Sequence, residues 1–186
     1  MVLENVYQKN LAVYSIVGII FVFIVGTLFH FLFEATGNNR VIGAFVPVNE
    51  SVWEHIKLLL LPYLIFALLM WLFSDGCINN FIPGIILGLF TGSLFMIFAF
   101  YTYVGALTRE NNLNVDIMIF FLAIIISFIV SYTVFISPTF SQWGQTLSLV
   151  GLVLYLGIFV LFTYYPIEIP LLQDPISGGY GIPDKS

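Results

Sequence analysis

Charge is what this chain has least of. Asp, Glu, Lys and Arg make up 8% of its 186 residues, against 60% hydrophobic and 18% aromatic, and mean hydropathy is +1.05. A soluble domain cannot solvate its own surface on that ration of polar groups, so the composition belongs in a lipid bilayer. Basic residues are scarce as well: five Lys and Arg, never clustered, with a net charge of -5, exclude the electrostatic footprint of a nucleic-acid partner. Cysteine is nearly absent. The single Cys77 rules out an intrachain disulfide and a Cys-rich metal centre, says nothing about the redox compartment, and reads as a small apolar filler.

What remains is long apolar runs. A helix rises about 1.5 Å per residue through about 30 Å of hydrocarbon, so roughly 17 to 25 residues are needed to cross. Five stretches qualify, at about 11–33, 50–73, 81–104, 115–136 and 147–165, followed by a Pro- and Gly-rich tail at 166–186. The expected fold is therefore all-α: a single integral membrane domain, a polytopic bundle of five transmembrane helices. The first run is too long for a signal peptide and lacks a small-residue cleavage site, so it is expected to stay as a span. The second is short unless extended back to Glu50, and that extension draws Glu54, His55 and Lys57 to the membrane boundary.

Five spans sort the connections onto two sides. One receives Arg40, Lys57, Arg109, Lys185, both histidines and eight of the ten acids; the other has only Lys9, Glu4 and Asp75. The bias of Lys and Arg toward the cytoplasm then orients a multi-pass protein of the cell membrane with its N-terminus outside and its C-terminus cytoplasmic. Interfacial aromatics agree with the spans: Trp53, Tyr101, Tyr103, Tyr164 and Tyr165 at one boundary, Tyr7, Trp71 and Trp143 at the other.

Gly84, Gly88 and Gly92 repeat every four residues in the third span. That spacing lets backbones approach closely, so the face is a helix contact, either within the chain or across a homodimer. Pro83 falls in a first turn, where its missing N–H does no harm. Pro62 lies inside the second span and is expected to kink it next to the polar segment.

That segment, Pro47-Val-Asn-Glu-Ser-Val-Trp-Glu-His-Ile-Lys57, gathers scarce ionisable groups against a leucine run. With Asn49 as N-cap and a helix from Glu50, Glu50, Glu54 and Lys57 share a narrow stripe with Ser51 and His55 on its shoulder. At the end of the first span Gly26, His30 and Glu34 also repeat every four residues, on the same side of the membrane. Three readings stand. His30, Glu34, Glu50, Glu54 and His55 ligate a divalent metal ion, as carboxylates and imidazoles do on facing helices of a bundle. Alternatively, the same groups with Asn49 and Lys57 bind or move a small polar solute or ion, since ionisable groups at membrane depth usually face a cavity. The plainer reading has acids satisfying a helix N-terminus and Glu54 pairing with Lys57. No standard metal-ligand spacing is present.

The tail has prolines at 166, 170, 175 and 183, which forbid a continuing helix, yet keeps Ile167, Ile169, Leu171, Leu172 and Tyr180, which favour burial. It either hangs loose or folds over the bundle mouth as a lid, with Glu168, Asp174 and Tyr180 near the polar groups. Ser177-Gly-Gly-Tyr-Gly lacks the helix and lysine of a phosphate loop. "PVNESVWEHIKLL" and the tail "FTYYPIEIPLLQDPISGGYGI" together resemble the signature of an uncharacterised prokaryotic family of small multi-spanning membrane proteins. The resemblance covers essentially the whole chain and implies that Asn49, Glu50, Trp53, Glu54, His55 and Lys57 act as a unit with the tail, but it implies no activity. Transport of a small polar solute or ion is the leading expectation, with a membrane-embedded metal enzyme and a scaffold protein without catalysis as the rivals.

Overall fold

The computed structural model describes residues 2–108 and 111–183. Arg109 and Lys185, which entered the charge count above, lie outside the described residues. Among the described residues, five helices are long and apolar enough to cross a membrane. They are α1 (Val2–Phe29), α4 (Val52–Phe73), α5 (Phe81–Thr102), α6 (Leu113–Phe135) and α7 (Gln142–Tyr164). Two single-turn helices, α2 (Leu32–Ala35) and α3 (Arg40–Gly43), fill the first connection, and α5 runs on into a π-helical turn, Tyr103–Thr108.

Successive spans reverse direction, and α1, α4, α5 and α6 close into a ring in that order. The fifth span, α7, lies outside the ring against α5. Its outward face, including Trp143, Leu147, Val153 and Leu154, stays exposed, as suits a helix bathed in lipid. Inside the ring Val22, Leu59, Leu89 and Ile124 are sealed from solvent, with the Tyr63 and Phe128 rings packed at a tilt of 44°, 4.6 Å between centroids. The polar atoms there are matched: the Tyr63 hydroxyl and Ser131 Oγ lie 2.5 Å apart, and Ser131 Oγ donates to the Gly84 carbonyl at 2.7 Å.

Apolar attraction between helices is weak in lipid, so close backbone contact has to hold them together. The glycine stripe of α5 supplies it within the chain. Gly84 backs onto the Phe135 ring, Gly88 onto Ser131 and the Ser127 carbonyl, and Gly92 onto Ser127, all on α6. A second close approach joins α1 to α4. Pro62 has no N–H for the carbonyl of Leu58, and that carbonyl faces Gly26, where an added Cβ would sit 2.5 Å from the oxygen. Gly26 therefore fixes α1 against α4 one turn below His30.

The far end is tied by two asparagines, Asn79 and Asn80, in the loop before α5. Asn80, 3% exposed and in the left-handed region at φ 49°, donates to the carbonyls of Val134 and Pro138. It accepts from Phe140 N–H and from the Gln145 side chain. Asn79 donates to the Ser137 carbonyl and takes the Tyr7 hydroxyl on its own N–H. One short loop thus gathers the ends of α1, α6 and α7.

Boundaries differ from expectation where caps intervene. The second span begins at Val52 with Ser51 as N-cap, its Oγ accepting from Glu54 N–H at 3.2 Å. Asn49 instead accepts from Ser51 N–H and donates to the Gly181 carbonyl in the tail. The first span ends at Phe29, because the chain breaks at His30-Phe31 before α2 starts. The fifth begins at Gln142, capped by Ser141, whose Oγ accepts from Gly144 N–H.

Candidate functional site

Because Glu50 precedes the helix, its direction is set by the extended cap segment and not by the helical stripe. The motif consequently divides. Glu54 and Lys57 turn inward to α7 and the first connection, while Glu50 and His55 turn to the end of α1.

The inward half is an ion pair sealed from solvent: Lys57 is 1% exposed, Glu54 2%, and Lys57 Nζ lies 2.7 Å from Glu54 Oε2. The ammonium also donates to Thr163 Oγ1 at 2.5 Å and to the Gly43 carbonyl at 2.9 Å, with the Val46 carbonyl at 3.4 Å. Glu54 Oε2 accepts from Val48 N–H at 3.0 Å. One lysine head thereby joins α4, the connection after α3 and α7, and stacking of Trp53 on Phe159 at 4.2 Å supports the same junction. The pairing of Glu54 with Lys57, one element of the plainer sequence reading, is present.

The outward half is a triangle. His55 Nε2 lies 3.2 Å from His30 Nε2, and Glu50 Oε2 lies 3.4 Å from the first and 3.6 Å from the second. His55 Nδ1 is 2.9 Å from the Ser51 carbonyl, so Nδ1 carries the proton and the Nε2 lone pair points into the triangle. His30 reaches the same point because it sits one turn above Gly26, where α1 touches α4. Glu34, in α2, is exposed and stands outside the triangle.

Half-burial and the Glu50 carboxylate act oppositely on His30, and the carboxylate wins. Pairing with Glu50 holds the His30 imidazole above its ordinary value of 6.5, and pairing with His30 holds Glu50 below 4.5. A raised imidazole contributes stability that is lost as pH climbs through its folded-state value, and a depressed carboxylate contributes stability that is lost as pH falls through its own. In metal-free protein the pair therefore helps most between those limits, in mildly acidic solution. Melting wild type and Glu50→Gln in detergent with chelator from pH 4 to 8 is expected to show the largest difference there, below about 1 kcal/mol for so exposed a pair. A difference that grows steadily toward alkaline pH would contradict the assignment.

The triangle opens on a cleft of about 520 Å³ at the rim of the ring. Leu58, Met96, Phe100 and Phe120 line its depth, Asn111 and Asp116 its far wall, and Pro175 and Ile176 of the tail its outer edge. Asp116 accepts a hydrogen bond from Tyr103, which the π-helical turn after α5 carries to it. In the sequence Tyr103 stood out only as an interfacial aromatic and Asp116 not at all, although an acid in the first turn of an apolar span is a signal of the kind used for Glu54.

The tail folds back on this end. Gln173 and Tyr180 bridge antiparallel, and Asp174 Oδ1 and Oδ2 accept from Ile176 N–H and Ser177 Oγ. Asp174 thus shapes the turn that carries Pro175 and Ile176 to the cleft. Gly181, at φ 63°, lies against the Thr163 carbonyl, where a Cβ would meet the oxygen at 2.9 Å.

A ring of apolar helices with a histidine and carboxylate cluster at one rim defines a multi-pass membrane protein. The chain belongs to a family of unknown function, DUF6512, which it matches over residues 3–182. Comparison with curated proteins and with solved structures gives no match.

Proposed function

We propose that this protein is a membrane-embedded, metal-dependent enzyme whose divalent ion is held by His30, Glu50 and His55. The observation that carries the reading is the size of the triangle. Donors about 2.0–2.1 Å from one ion at tetrahedral angles lie about 3.3 Å from each other, and the three separations here are 3.2, 3.4 and 3.6 Å. Two imidazoles and a carboxylate suit zinc and its neighbours, and three protein ligands leave a position free for water or substrate, the pattern of reactive and not of structural sites. The Ser51 carbonyl orients His55 from behind, as outer hydrogen bonds do for metal-bound histidines. Such an ion would activate a bound water and polarise a carbonyl or phosphoryl oxygen brought to it.

Translocation of a solute or ion, the leading expectation from sequence, has less support, because the ring below the triangle is filled by Val22, Leu59, Leu89 and Ile124. Solute flux in proteoliposomes tests it directly.

Elemental analysis of purified protein dialysed against zinc or cobalt tests the metal reading. About one ion per chain is expected, with a tetrahedral cobalt absorption spectrum. His30→Ala and His55→Ala are expected to weaken binding by at least about 100-fold, beyond the 10- to 100-fold typical of an outer-sphere partner. Glu34→Ala serves as the unaffected control. Full metal occupancy in both histidine variants would sink the site.

A further inference from the structure

The cleft has two kinds of wall, and the difference indicates what occupies it. Residues that line it and are also exposed mark its mouth. On one flank these are Thr27 near the end of α1 and Phe31 just beyond it, and Leu113 and Ile117 at the start of α6. One turn deeper the same two helices are closed, by Phe23 packed on Phe120 and Phe121 and by Gly26 against Phe120. The seam between α1 and α6 is thus shut just below its rim and open at it. Thr27 and Ile117 belong to the spans themselves, so this flank of the mouth faces acyl chains and not water. Behind the opening, Leu58, Met96 and Phe120 are buried and apolar.

Charge in the cleft is arranged as well. Among the described residues its lining holds Glu50 and Asp116 and neither lysine nor arginine. A divalent ion on the triangle would make that end positive and leave Asp116 as the negative pole. An apolar chamber entered from the side, with a positive and a negative pole at its polar rim, matches an amphiphile with an apolar chain and a zwitterionic head.

We infer that the site takes a membrane phospholipid with an amino head group, which enters laterally between α1 and α6, lays part of its acyl chain against Leu58, Met96 and Phe120, and turns a head-group oxygen to the triangle and its ammonium to Asp116. The volume of about 520 Å³ falls within the roughly 300–1,000 Å³ usual for small-ligand sites, enough for the glycerol end and part of one chain. Assignment of the head group rests on the metal reading above; lateral admission of the chain does not.

The test uses full-length protein in nanodiscs containing phosphatidylethanolamine with a diazirine in one acyl chain, followed by peptide mapping of adducts and metal analysis of the same sample. Adducts are expected at Leu58, Met96 and Phe120, which bulk lipid does not reach, and at a lower level with the matching phosphatidylglycerol probe. The double variant Thr27→Trp, Ile117→Trp, which narrows the mouth and touches no proposed ligand, is expected to cut the inner adducts about tenfold, the ratio for about 1.4 kcal/mol of binding, with metal content unchanged. Adducts confined to outward faces while metal is bound overturn the lipid inference and spare the metal site. Inner adducts without metal overturn the metal reading and the head-group assignment and support lateral admission of the chain. Equal labelling by the two probes overturns the head-group assignment alone.

Discussion

Replacing Lys57 by methionine is expected to lower stability by about 3–5 kcal/mol, the usual cost of leaving one half of a buried ion pair without its partner. Three features set that magnitude. Glu54 is 2% exposed and has no route to water. Its Oε2 would keep only the Val48 N–H, at 3.0 Å. The Gly43 carbonyl and Thr163 hydroxyl would lose their donor at the same moment. The double variant Lys57→Met, Glu54→Gln is expected to recover much of the loss, because the stranded charge is gone, although the carbonyls of the first connection remain unserved. Lys9→Met, at an exposed position, should stay within about 0.5 kcal/mol of wild type. Reversible unfolding in mixed micelles measures all three. A Lys57→Met protein as stable as wild type would mean that the junction between α4 and α7 does not hold the bundle's end.

Gly88→Val is the second large effect. The new side chain would start on top of Ser131 Oγ and 2.6 Å from the Ser127 carbonyl. Because backbone carbonyls cannot swing aside as a side-chain tip can, α5 and α6 would have to separate along their length. Overpacking typically costs 1–3 kcal/mol, and loss of the Tyr63–Ser131–Gly84 hydrogen bonds adds about 1 kcal/mol more. Gly157→Val on α7, where an added Cβ meets nothing within 4 Å, is the matched control. Equal melting temperatures for the two variants would refute close α5–α6 packing as a source of stability.

The spans were legible because a bilayer imposes one long apolar run per crossing, a signal that short loops and caps do not blur. The close helix contact was legible from Gly84, Gly88 and Gly92 for the same reason: only tight backbone packing rewards small residues at that spacing. Its partner drew no attention, although α6 answers with Ser127, Ser131 and Phe135 at the same spacing of four, because hydroxyls and a phenyl ring mark a packing face less plainly than glycines do. Around the polar segment, the nearness of His30 to His55 and Glu50 followed from the threading of the chain. The separation of Glu54 and Lys57 from that group did not. It depends on whether the helix starts at Glu50 or Val52, and a shift of two residues on a helix turns a side chain through about 200°. Asn80 was unreadable for a different reason: an Asn-Asn pair before a helix reads as a turn, and its partners near Ser137 and Gln145 are far away in sequence. Tyr103 and Asp116 likewise meet only once α5 and α6 are folded against each other.

The Lys57 cage also bears on biogenesis. Its donors and acceptors come from the first connection, the second crossing and the last crossing, with Thr163 near the end of α7. A nascent chain is inserted from its N-terminus, so α4 enters the bilayer with its lysine before the threonine that receives it has been made. Until α7 arrives, the half-assembled protein carries an incompletely solvated ammonium next to a carboxylate at the lipid boundary. The last crossing, loosely held along most of its length, thus acts as the closing latch, and quality control in the membrane has a defined lesion to recognise in any chain that fails to reach it.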